Sequence, residues 1–76
     1  MEHRLKTWPE YYAPIVAGQK PFDLRKDDRN FQVGDVVILE EWTKDNGYTG
    51  SVASYVISYV LRRFDGLEAG YCILGV

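Results

Sequence analysis

Seven charged side chains fall within ten residues of this chain: Lys20, Asp23, Arg25, Lys26, Asp27, Asp28 and Arg29. Apolar Phe22 and Leu24 alternate with Asp23 and Arg25, which is the pattern of a strand with one face in the core and one face bearing charge. On such a strand Asp23 and Arg25 point to the same side, and Lys20 lies just before it, close enough to converge on them. A lysine and an arginine flanking a carboxylate suit a phosphate or a nucleobase edge. The guanidinium offers a fork of donors, the ammonium a point charge, and the carboxylate an acceptor for amino groups. The same three residues also fit a surface charge ladder of little energetic weight.

Other residues are weaker candidates for the same site. Asp28 and Arg29 fall in a polar turn, where they serve either as loop braces or as ligand contacts, Arg29 being the better ligand candidate. His3, the only histidine, reads first as a strand residue and second as a donor at the cleft. Trp42 and Tyr48 sit at a strand end and in the loop after it, where aromatic rings stack on bases; the remaining rings read as core. The single Cys72, inside Tyr-Cys-Ile-Leu, reads as a small buried hydrophobe with no activating partner and no disulfide. No zinc spacing, calcium loop or glycine-rich phosphate loop is present, so neither a metal nor another cofactor is expected.

Positioning these residues requires a small mainly-β domain. At 76 residues the chain has room for one hydrophobic core, and 46% hydrophobic residues mark it as globular. We read a short strand over residues 3–7, and a helix from Trp8-Pro9 to Val16 with Thr7 as its cap. Pro14 should kink or split that helix near Ala13, and Gly18 should stop it. Strands follow at 22–25 and 36–42, with a hairpin turn around Asn46-Gly47. The longest strand pattern covers 52–61 and places Tyr55, Ile57, Tyr59 and Leu61 on one face, as a bent strand would. A last strand covers 71–74. A sheet this small must hide its edges, so a closed barrel capped by the helix is expected.

Charge narrows the function classes. The net charge of −2 argues against a generic polyanion binder. Yet residues 1–29 hold six basic and five acidic groups, against three and six in residues 30–76, so one positive face is compatible with the acidic total. The opening residues form no apolar run, and no stretch is long enough to span a bilayer; we expect a cytoplasmic protein without a membrane partner, as a monomer or weak homo-oligomer.

The ordered pattern His3-x-Leu5-Lys6, Pro9-Glu10-Tyr11-Tyr12, Gly18-x-Lys20-x-Phe22-Asp23-x-Arg25-x-Asp27-Asp28-Arg29-x-Phe31-x-Val33-Gly34-Asp35 resembles the ASCH domains. It is most similar to a small ASCH-like family of uncharacterised bacterial and phage proteins in the PUA-like superfamily. The likeness continues through Glu41-Trp42, Tyr48-Thr49-Gly50, residues 57–61 and Gly70-Tyr71-Cys72-Ile73-Leu74, nearly the whole chain. It implies one ASCH/PUA-like domain over 1–76, a β-barrel of five to six strands with a short N-terminal helix. It also implies an RNA- or nucleotide-like ligand in a cleft lined by the Lys20–Arg29 stretch. One small ASCH enzyme type hydrolyses N4-acetylcytidine with a Lys and a Thr on that strand and a distant Glu. Here Lys20 holds the Lys position and Asp23 the Thr position, which departs from a Thr-nucleophile mechanism. An amidohydrolase with Lys20 and Asp23 as catalytic residues is therefore the alternative expectation, and a protein-binding accessory role a further one.

Overall fold

Alternation sets the first strand. In β1 (Glu2–Thr7), His3, Leu5 and Thr7 are buried while Glu2, Arg4 and Lys6 are exposed. A computed structural model describes residues 1–76. After β1 come α1 (Pro9–Val16), β2 (Phe22–Lys26), β3 (Val36–Thr43), β4 (Gly47–Val56), β5 (Tyr59–Leu61) and β6 (Tyr71–Gly75). The result is mainly β with one short helix, as expected. The strands pair as two three-stranded sheets, β1-β3-β4 and β2-β6-β5. β1 runs parallel to β3, and the other ladders are antiparallel. The core lies between the sheets and under α1, with Leu5, Ile15, Phe31, Val37, Leu39 and Leu74 among its members.

Backbone pairing does not close this arrangement into the barrel expected from sequence. Where β1 and β2 approach, the link is made by a side chain: Arg25 donates from Nη1 to the Lys6 carbonyl at 2.9 Å and from Nη2 to Thr7 Oγ1 at 2.8 Å. Arg29 Nη1 likewise donates to the Arg4 carbonyl at 2.7 Å. Two arginines thus satisfy edge carbonyls of β1 that a neighbouring strand would otherwise pair.

Two local expectations also change. Pro14 neither splits nor ends α1, which runs unbroken over eight residues. Only one intrahelical donor is lost, and the Pro14 carbonyl accepts from the amides of Gln19 (2.9 Å) and Lys20 (3.1 Å), which ties the following turn to the helix. Gly18 makes that turn at φ +77°, as its position suggested. Thr7 is not the cap; Trp8 is, without a side-chain capping bond.

The long strand pattern of residues 52–61 is two strands in different sheets. At Ile57 the chain leaves the first sheet, the Ile57 amide donating to Asp35 O at 2.8 Å. At Ser58 it joins the second, donating to Gly75 O at 2.9 Å. The bend shifts the alternation by one residue. Tyr55 and Ile57 face the core, but beyond the bend Val60 packs against it and Tyr59 is exposed. No helix is long and apolar enough to cross a membrane.

Candidate functional site

Asp23 is the one carboxylate that the fold removes from water, at 4% exposure. Its position follows from the pairing of β2 with β6, which sets Asp23 opposite Leu74 and so turns it toward the core. An isolated buried carboxylate is costly, and two cations offset that cost. Arg25 Nε donates to Asp23 Oδ2 at 2.6 Å, and Lys20 Nζ lies 3.6 Å from Oδ1. The Lys20 ammonium also sits 4.9 Å from the centre of the Tyr11 ring and 5.4 Å from that of Phe22. Each ring face attracts the cation and holds it over the carboxylate.

Two small hollows meet at Asp23, Tyr11 and Leu24. The first, about 180 Å³, is also walled by Lys6, Thr7, Trp8 and Arg25. The second, about 210 Å³, is also bounded by Lys20. Beside the first, Trp8 and Trp42 pack edge to face at 5.2 Å, and Lys6 Nζ lies 4.3 Å from the centre of the Trp42 ring. The chemistry on offer is a desolvated ion cluster at the floor, cations at the lip and indole rings at the side.

Of the residues singled out from sequence, Lys20, Asp23 and Arg25 converge. Trp42 borders the hollow through Trp8 and Lys6. Tyr48 stands opposite Trp42 in the β3–β4 ladder and is largely exposed. Arg29 does not join them, because its guanidinium braces β1. The exposed Asp28 makes no side-chain hydrogen bond and stays in its turn.

His3 lies at the other end of β1, four residues from Thr7, or about 13 Å at the rise of a strand. There its Nε2 meets Asp35 Oδ2 at 2.9 Å, and its ring packs edge-on against Phe31. Asp35 Oδ2 also accepts from the Gln32 amide at 3.1 Å, and Oδ1 lies 3.3 Å from the terminal ammonium of Met1. His3 is thus the support of a loop. The His3 hydrogen bond, aided by Gln32 and the chain terminus, holds the Asp35 carboxyl below its ordinary value of 3.8. A lowered folded-state value means stabilisation that is present above the ordinary pKa and lost as pH falls through the folded one. We expect Asp35→Asn to flatten the decline in stability below about pH 4. Denaturant midpoints across the acid range check this; an unchanged acid limb would exclude Asp35 as its source.

Sequence reasoning missed Thr7, Lys6, Trp8 and Tyr11 as walls of the site. Thr7 is buried, donates to the Leu5 carbonyl at 3.0 Å and accepts from Arg25, so it orients the guanidinium that orients Asp23. Its place just before Trp8-Pro9 suggests a helix cap, and only the meeting of β1 with β2 reveals the other use. The largest hollow, about 570 Å³ and open, lies elsewhere, in the turn from Arg62 to Ala69. Its Arg62 is held by Asp27 (2.8 Å) and the Phe31 carbonyl, and it contains no desolvated charge, so the smaller pair of hollows is the better candidate.

With this geometry in view, comparison with known proteins adds the following. The chain is 35% identical over 66 residues to a protein of Escherichia phage P2 described as "Uncharacterized 12.9 kDa protein in GpA 3'region". The match takes in 87% of this chain and 60% of the relative, so the chain spans about three-fifths of that protein's length. A family model described as "Domain of unknown function (DUF3850)" matches residues 2–76, and the chain belongs to that family.

Proposed function

We propose that this chain is an ASCH/PUA-like binding module for single-stranded RNA or a nucleotide-like ligand, held at the hollows around Asp23. The observation that carries the reading is the buried Asp23 bracketed by Lys20 and Arg25, with Trp8, Tyr11 and Lys6 beside it. Arg25 spends Nε and both terminal nitrogens on the protein itself, so it is a positioning residue. Lys6, and Lys20 alongside its longer 3.6 Å pairing with Asp23, are the cations to meet a phosphate. Trp8, 42% exposed, offers a face on which a base stacks.

The test is titration of short single-stranded RNAs and nucleoside monophosphates, read by tryptophan fluorescence at low and moderate salt. Binding should weaken as salt rises, and Lys20→Ala should lower the slope of log affinity against log salt by about 0.7, the value for one single-strand phosphate contact. Trp8→Ala should cost about 1–3 kcal/mol of affinity if one base stacks there. Absence of any fluorescence change at low salt would remove the proposal.

A further inference from the structure

Each sheet edge in this fold except one is defended. β1 has its carbonyls capped by Arg25 and Arg29. β2 carries Asp23, Arg25 and Lys26, and β5 is only three residues long. β4, the other edge of the first sheet, is ten residues long and contains no charged residue and no proline. None of the backbone hydrogen bonds outside the ladders involves residues 47–56, so its outward amides and carbonyls have no backbone partner in the chain. The irregularity opposite Glu41, with Gly50 at φ +93°, interrupts only the first half of the strand. Residues 52–56, Val-Ala-Ser-Tyr-Val, pair regularly with β3 and favour the β conformation. Long uncharged edges of this kind are templates for another strand.

We propose that the occupant is a second copy of this chain, paired antiparallel through β4 to join two sheets into one of six strands. Three features select a self-pair. A neutral strand meets no like charge in its copy. Opposed residues in an antiparallel ladder share a face, so a two-fold axis perpendicular to the sheet must lie midway between one residue and its own copy. An axis at Ser54 sets Val52 of one copy against Val56 of the other on the outer face, twice, and Ser54 against Ser54. Val52 and Val56 are 51% and 59% exposed in the single chain. Valine pairs and a serine pair are favourable cross-strand neighbours. On the inner face the same register sets small Ala53 beside the partly buried Tyr55, avoiding a clash of two large side chains.

Sedimentation equilibrium of the full chain tests this. Wild type should show a concentration-dependent monomer–dimer equilibrium. Ser54→Lys places like charges face to face on the axis and should weaken association about tenfold, as should Ser54→Asp. An equimolar mixture of the two variants should recover the affinity, because the charges then oppose each other. Amide exchange of residues 52–56 in wild type should slow as concentration rises, which needs no variant to fold. A wild type that stays monomeric at the highest soluble concentration, variants that dimerise as tightly as wild type, a mixture that does not recover, or amide exchange independent of concentration would each overturn the proposal.

Discussion

Asp23→Ala is expected to lower the unfolding free energy by about 3 kcal/mol, at the lower end of what breaking a buried ion pair costs. The cost comes from what remains. Without the carboxylate, Arg25 keeps its bonds to Thr7 and the Lys6 carbonyl but stays largely buried with its charge uncompensated, its side chain 19% exposed. Lys20 is 20% exposed and holds the carboxylate at the longer 3.6 Å, so Lys20→Ala should cost less than half as much. A double-mutant cycle separates the partners: the coupling between Asp23 and Arg25 should exceed that between Asp23 and Lys20. Asp23→Asn keeps the shape and an acceptor, and should fall between wild type and Asp23→Ala. Urea denaturation of the variants measures all of these. If Asp23→Ala lies within about 0.5 kcal/mol of wild type, the range of ordinary surface substitutions, the cluster is not desolvated and the site loses its floor.

This cluster was partly legible in the sequence. The alternation of Phe22-Asp23-Leu24-Arg25 announced a shared direction for the two charges, and local spacing brought Lys20 to them. What it could not announce was which face turns inward. Asp23, the polar member, is buried, while Phe22 and Leu24 are 46% and 53% exposed. Pattern reading assigns the core by hydrophobicity, and here the ion cluster reverses it. The same limit applies at Ser58, where a change of sheet shifts the alternation and exposes Tyr59, and at Thr7 and Arg29, whose roles depend on β1 meeting β2 and the loop after it. Elements set by local chemistry were readable: the run of Val36–Trp42, the Asn46-Gly47 turn with Gly47 at φ +71°, and the Gly18 stop. Closure was not, because two arginine side chains stand where a barrel needs a ladder, and no local pattern distinguishes a bracing arginine from one that meets a ligand.

The second large effect is expected at Phe31, which belongs to no strand and yet is 1% exposed. Asn30 precedes it at φ +49°, a conformation asparagine tolerates better than most residues, and this turns the chain inward. The ring then packs in the central cluster, 4.7 Å from the centre of the His3 ring, while its carbonyl accepts from Arg62. Phe31 therefore fastens the crossover from β2 to β3 to the core, meeting His3 of β1 and Arg62 just beyond β5. Phe31→Ala should cost about 3–5 kcal/mol, since removing a buried ring loses its transfer free energy and leaves a cavity. In a domain of this size each kcal/mol corresponds to about 4–8 °C, so even the lower figure lowers Tm by about 12–24 °C. The total stability of 76 residues is on the order of 4–11 kcal/mol, so the variant should lose a large fraction of it. Phe31→Leu keeps most of the volume and should cost under half as much. A Phe31→Ala protein that melts within a few degrees of wild type would mean that the strand ladders hold the sheets together without the crossover, and that the side-chain core is secondary to backbone pairing in this fold.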